Sequence, residues 1–235
     1  MRAFAIAAVL VFALSLAVLA GFLMNAGPFW HIDAAPRLAP LPAALADLAL
    51  IAGFGVQHSG MARRGVKRAL RLPAGWERAA YVLASSVALI LVCALWQPLA
   101  GRVWDAGPVA GAALGLLGAA GLLLAGLAAM AIDAPALLGL RQAGVVAGPG
   151  QTGFVVPALY RRVRHPIYLG TLVALWAVPQ MSLGHALFSA ALSLYTLIGL
   201  RLEDRDLHRS FGAAYARYAA RVPALIPRFR PREED

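Results

Sequence analysis

Two short stretches of the 235-residue chain carry side chains able to bind charge and move protons. The first is RRVRHPIYLG, residues 161 to 170, in which Arg161, Arg162 and Arg164 precede His165 and Pro166. Proline disfavours helical angles in the residue before it and suits the first helical position, so a helix is expected to start at Pro166 with His165 just outside. The free N–H groups of that start, flanked by guanidinium groups, suit a carboxylate or a phosphate. The same arginines also satisfy the rule that positive residues gather at cytoplasmic helix ends, and the residues alone leave both readings open. After the next apolar run come Glu203, Asp204 and Asp206, set among Arg201, Arg205 and Arg209. If that run folds back as a helical hairpin, its two ends return to one membrane face and Glu203 stands near His165. Otherwise the cluster forms surface ion pairs, each worth less than about 1 kcal/mol.

The second stretch is GFGVQHSG, residues 53 to 60, where Gln57, His58 and Ser59 end an apolar run. Asp47 lies 11 residues before His58, which at about 100° per residue returns to within about 20° of the same helix face. Ionisable groups are costly among apolar helices, so Asp47 and His58 are functional candidates; a hydrogen-bond network to a neighbouring helix is the other reading. His185, near the hairpin bend, and His31, in the outer loop, read as interfacial. His58, His165 and His185 show neither paired i, i+4 spacing nor a recognised carboxylate companion, so no metal is expected.

These residues must be positioned by membrane helices. Hydrophobic residues make up 61% of the chain and charged ones 14%, more apolar surface than a soluble domain encloses. Apolar runs span 3 to 24, 41 to 56, 81 to 95, 109 to 132 and 167 to 200, the last broken near VPQMSLGH at 178 to 185. The first has 22 uncharged residues, enough to cross a bilayer and longer than a signal-peptide core, so it reads as a retained helix or uncleaved anchor. The expected fold class is all-α: a polytopic membrane protein with four spanning helices, a C-terminal helical hairpin and a cytosolic amphipathic tail helix. It forms a single domain over 1–235, with a four-helix membrane part at 1–132 and the remainder at 133–235.

Charge sets the orientation. With the N-terminus inside, the inner segments carry Arg2, six Lys or Arg between 60 and 78, four between 132 and 166 and eight from Arg201 onward, against only Arg37 and Arg102 outside. Both termini are therefore expected in the cytoplasm. The net charge of +10 sits at helix ends, which points to anionic membrane lipids rather than nucleic acid. The lone Cys93 excludes an intrachain disulfide and reads as a packing residue. Glycines at 111, 115, 118, 121 and 126 interrupt no apolar character and read as places where helices approach closely. The loop VVAGPGQTGF, 145 to 154, is either a plain connector or a flap. In the tail, Leu207, Phe211, Tyr215 and Tyr218 recur at helical spacing between arginines, which fits a helix at the cytosolic membrane face, serving as lid or anchor.

Taken in order, RHPIYLG (164 to 170), the pair Glu203 and Asp204, FGAAYARY (211 to 218) and VPALIP (222 to 227) resemble the C-terminal region of the isoprenylcysteine carboxyl methyltransferase superfamily. The second acidic position holds Asp204, where that superfamily usually has glutamate. VQHSGMAR (56 to 63), WERAAYVLASS (76 to 86), LWQP (95 to 98) and GLRQ (139 to 142) are similar to its bacterial methanethiol S-methyltransferase branch. The resemblance implies S-adenosyl-L-methionine as cofactor and a small thiol, methanethiol, as acceptor, at a bacterial inner membrane. It places the cofactor against Gln142, Tyr160, His165, Pro166, Tyr168, Gly170 and Tyr215, within residues 133–235. For the chemistry it leaves His58 as first choice of base, Glu203 as second, and Arg164 as charge partner, with Gln57, Ser59 and Asp47 on the substrate side. A lipid or prenylcysteine-type carboxylate acceptor, or an NnrU-like accessory protein without catalysis, are the alternatives.

Overall fold

The computed structural model describes residues 1–73, 75–148 and 153–227. In chain order its elements are α1 (Arg2–Leu23), α2 (Pro40–Ala62), α3 (Arg64–Leu70), α4 (Glu77–Leu95), β1 (Arg102–Asp105), α5 (Gly107–Leu137), a 3-10 turn (Ala158–Arg161), α6 (Pro166–Trp176), β2 (Gln180–Ser182) and α7 (Leu183–Arg221). Five of the helices, α1, α2, α4, α5 and α7, are long and apolar enough to cross a membrane. The 22 residues of α1 extend about 33 Å, sufficient for a hydrocarbon core of about 30 Å. The 11 residues of α6 reach about half that depth, so α6 is the short arm of the expected hairpin.

Two local features explain where helices stop. α5 loses helical angles at Asp133, two residues before Pro135, because proline lacks the N–H its helix needs and crowds the preceding turn. The apolar run therefore ends near Ile132, as its composition suggests. α7 breaks at Gly212, where φ is 51° and ψ is −126°, angles that a side chain disfavours.

The fold is all-α as expected, with one small addition: β1 and β2 form a two-stranded antiparallel ribbon pairing Arg102 with Ser182, Trp104 with Met181 and Asp105 with Gln180. Strands of four and three residues have too little alternation to be read from sequence, and their pairing supplies the structure. Arg102 and Asp105 add an exposed ion pair of 2.8 Å.

Contacts divide the chain into two units that interleave along it. The first comprises Met1–Asp105, Pro135–Gly148 and Gln180–Leu192. In it α1 and α4 run parallel, since Phe4 stacks on Trp76 at one end and Phe22 meets Trp96 edge-on at the other. α2 runs antiparallel to α4, with Asp47 beside Gln97 and His58 beside Tyr81. Ala5, Ala8, Ala79, Val82 and Ala143 pack together in its core, and Phe22, Trp96 and Phe188 form an aromatic cluster. Cys93 is buried.

The second unit comprises Ala106–Ala134, Pro149–Pro179 and Ser193–Asp235. There α5 and α6 are antiparallel at backbone contact: a Cβ at Gly121 would lie 2.7 Å from the Gly170 carbonyl oxygen, and one at Gly118 2.6 Å from that of Ala177. A methyl at Gly170 would in turn run into the Gly121 carbonyl and the Ala125 backbone nitrogen. The glycine-rich face of α5 thus packs helices, except at Gly126, where an added Cβ meets nothing within 4 Å. Of the loop 145 to 154, expected as a connector or a flap, residues 149–152 lie outside the described residues.

Gly170→Ala is expected to cost about 1–3 kcal/mol by overpacking, seen as a lower melting temperature in detergent, while Gly126→Ala leaves it unchanged.

Candidate functional site

The site of the second unit is built outward from Pro166. Pro166 opens α6 and His165 is its N-cap residue in non-helical angles, φ −125° and ψ 64°, as the His-Pro order requires. The main chain just before this start is strapped by the tail: Arg164 N–H donates to the Pro223 carbonyl at 2.9 Å and His165 N–H to that of Ala224 at 3.1 Å. The VPALIP segment therefore acts as a backbone partner for the residues preceding α6.

Side chains complete the junction around Asp204. Its Oδ2 accepts from Arg164 Nη2 at 2.8 Å, and its Oδ1 accepts from His165 Nε2 at 2.9 Å and from the Tyr215 hydroxyl. Arg164 Nη1 also donates to the Ala219 and Val222 carbonyls, at 2.9 and 3.1 Å, where α7 ends and leaves carbonyls without helical partners. Glu203 stands 3.6 Å from His165 Nδ1. His165 thus faces a carboxylate from each ring nitrogen and stacks on Tyr168, ring planes 9° apart. Burial works against the charged imidazole, but the hydrogen bonds and charges of Glu203 and Asp204 outweigh it, and the His165 pKa rises above its ordinary value.

In front of this junction lies a cavity of about 250 Å³. Phe154, Tyr160, Phe211, Tyr215 and Tyr218 supply aromatic wall, with Arg164 and Glu203 as its charged groups. Phe154 makes ring contacts of 5.3 to 5.7 Å with Phe211, Tyr215 and Tyr218, within the usual range for edge and tilted aromatic pairs. The Tyr218 hydroxyl donates to the Tyr160 carbonyl at 2.6 Å, and the Tyr160 hydroxyl to the Ala128 carbonyl at 3.3 Å. Arg164 Nε is buried and has no partner among the described residues, a donor left over after the guanidinium has bound Asp204 and the tail.

The sequence candidates are distributed as follows. Tyr160, Arg164, Glu203 and Tyr215 line the cavity; His165, Pro166, Tyr168 and Gly170 are not among its lining residues. His165 is turned to Glu203, which lines the cavity, and to Asp204, which does not, and Gly170 is turned to α5. In the tail stripe Leu207 and Phe211 come before the break at Gly212 and Tyr215 and Tyr218 after it, and all four line the cavity. Gln142, in the first unit, is exposed and donates to the Ala136 carbonyl at 3.2 Å; it shapes the turn after α5. Asp204, the residue that ties the elements together, was not singled out from its acidic neighbour by sequence.

The other sequence candidates lie in the first unit. His58 Nδ1 meets Ser85 Oγ at 3.1 Å and its Nε2 meets the Tyr81 hydroxyl at 2.6 Å. Tyr81 and Ser85 both stand on α4, whereas the Gln57 amide donates to Met61 Sδ at 3.1 Å. Tyr81 and Ser85 are four residues apart, hence on one helix face, a polar pair legible in an apolar run. Asp47 is fully buried and accepts the Gln97 N–H at 2.8 Å, so it binds the chain leaving α4. Among the described residues no group of three His, Cys, Asp or Glu could hold a metal ion.

Two outcomes follow from the junction. Lysine at 164 cannot span Asp204 and two tail carbonyls as the guanidinium fork does, so Arg164→Lys should lose about 2 kcal/mol of stability in a melt. Because the folded pKa of His165 is raised, its contribution is complete below the free imidazole value of about 6.5 and is lost as pH rises through the raised value. The melting temperature should therefore fall over that window, and His165→Gln should flatten the fall.

Comparison with known proteins gives consistent relatives. The chain is 42% identical over 215 residues to the methanethiol S-methyltransferase of Pseudomonas deceptionensis, covering 88% of this chain and 81% of the relative. It is 43% identical over 200 residues to methanethiol S-methyltransferase 2 of Bradyrhizobium diazoefficiens, covering 82% and 77%. Nurim of Rattus norvegicus is more distant, 31% identical over 174 residues, 68% of this chain and 66% of that protein. No family model and no solved structure matches.

Proposed function

The chain belongs to the methanethiol S-methyltransferase family, and from that membership we propose that it transfers a methyl group from S-adenosylmethionine to methanethiol, giving dimethyl sulfide. The observation that carries the donor assignment is the cavity of the second unit, which sets Arg164 and Glu203 into an aromatic wall. S-adenosylmethionine supplies, when bound, an electrophilic methyl group on a sulfonium sulfur.

The residues fit such a molecule. Aromatic faces attract a sulfonium cation and offer planes for a purine. Glu203, half-exposed with 45% of its side chain accessible, provides a carboxylate for an ammonium group. The buried, unpartnered Nε of Arg164 provides a donor for a carboxylate, and it is already oriented by Asp204. Tyr215 and Tyr218 are fixed by their own hydroxyl bonds, so the wall is organised before anything binds, which lowers the cost of binding. Asp204 and His165 serve this arrangement as positioning groups.

A small, uncharged thiol partitions into the bilayer, and a membrane protein receives it from there. Transfer from sulfonium to thiolate neutralises opposite charges, so surroundings with little water favour it. The charge distribution of the sequence supports a bacterial inner-membrane protein with both termini cytoplasmic, where S-adenosylmethionine is made.

Headspace gas chromatography over protein in lipid, supplied with both substrates, should detect dimethyl sulfide, and Glu203→Gln should lower kcat/KM by about tenfold or more. Absence of dimethyl sulfide from the parent protein would refute the assignment of the acceptor.

A further inference from the structure

Phe154 is the last residue of the glycine-rich loop at 145 to 154, yet its ring is central to the cavity wall of the second unit. The chain reaches it through Gly153, whose φ of 88° lies in the left-handed region that favours glycine. Beyond it Pro157, extended at ψ 164°, caps the 3-10 turn. The ring meets Phe211 at 5.3 Å, before the break at Gly212, and Tyr215 and Tyr218 at 5.7 and 5.3 Å, after it. Three rings from the two sides of that break therefore brace Phe154, and it still lines the cavity.

We propose that Phe154 is the residue by which this cavity tells a sulfonium from a thioether. Its ring face attracts the positive sulfur of the methyl donor and offers no such attraction to the neutral sulfur of S-adenosylhomocysteine, the product left once the methyl group has gone. This rests on the reading of the cavity as the S-adenosylmethionine site.

Donor and product differ by a methyl group and a positive charge on sulfur, so contacts to carboxylate, ammonium and purine are common to both and cannot discriminate. What can is a group that responds to charge at sulfur. An aromatic face within about 6 Å of a cation does so, more strongly where water is excluded. The wall presents no unmatched cation against it, because the Arg164 guanidinium is matched by Asp204 at 2.8 Å. The Glu203 carboxylate also favours positive charge, but with 45% of its side chain accessible its field is screened by water. Among the lining rings, Tyr160, Tyr215 and Tyr218 are committed through their hydroxyls to the Ala128 carbonyl, to Asp204 and to the Tyr160 carbonyl. Tyr215 is moreover only 1% exposed. Phe154 and Phe211 carry no polar atom, and Phe154 is the one braced from both sides of the break.

The test is calorimetric titration in lipid nanodiscs with S-adenosylmethionine and with S-adenosylhomocysteine. It compares the parent protein, protein carrying 3,4,5-trifluorophenylalanine in place of Phe154, and Phe154→Leu. Fluorine keeps the outline of the ring and withdraws negative charge from its face, whereas leucine removes the face altogether. Each change should lower the ratio of sulfonium to thioether affinity by about tenfold and leave thioether binding within about threefold of the parent. Retained thioether binding shows that the altered proteins are folded. A ratio equal to the parent's overturns the proposal, whether both affinities hold or both fall together, since Phe154 then acts only in packing. So does a ratio that falls with leucine alone, which assigns the effect to shape. A parent protein that binds neither molecule overturns the donor reading and this proposal with it.

Discussion

Within the second unit, everything around the cavity depends on one carboxylate. Asp204 receives the guanidinium of Arg164, the imidazole of His165 and the hydroxyl of Tyr215, groups that enter from the residues before α6 and from beyond the break in α7. Such a half-buried ionic cluster is not a strong source of net stability, because desolvation offsets much of the attraction. Its value is geometric: a charge-assisted network admits one arrangement of its donors, and a loosely packed apolar contact admits several.

That arrangement solves a problem posed by the membrane. Backbone groups among apolar helices need partners within the protein, yet a binding site needs a helix start and a helix end left open toward a ligand. Pro166 opens α6 without requiring a bond to its own nitrogen. The carbonyls ending α7 are taken by Arg164, and the amides of Arg164 and His165 are taken by Pro223 and Ala224. Polar backbone is thus satisfied at the rim while the aromatic face of the tail stays turned to the cavity. The bend at Gly212, with its positive φ, is what allows the tail to take a direction different from the helix before it.

Much of the framework was legible in the sequence. The apolar runs at 3 to 24 and 81 to 95 match α1 and α4 closely, because hydrocarbon imposes both the length and the absence of charge on a spanning helix. The helix start at Pro166 was legible from proline stereochemistry. The division of labour between Glu203 and Asp204 was not: neighbours on a helix point about 100° apart, so which one meets the cavity and which one the His165 junction depends on the phase of α7. The tail stripe revealed a helix face but not what covers it, since cavity and lipid both demand apolar residues. The strap at 222 to 224 acts through backbone carbonyls, which no side-chain motif announces, and the partners of His58 come from α4, 23 and 27 residues away.

Asp204 organises a cavity that it does not itself line. Calorimetric titration of S-adenosylmethionine into parent protein and Asp204→Asn, each in lipid nanodiscs, tests this directly. The substitution removes a charge from behind the wall and no group from its surface. Binding to the parent and a loss of about tenfold or more in the variant, equivalent to about 1.4 kcal/mol, is the predicted result. Equal affinity for the two proteins, or no binding to the parent, would contradict it.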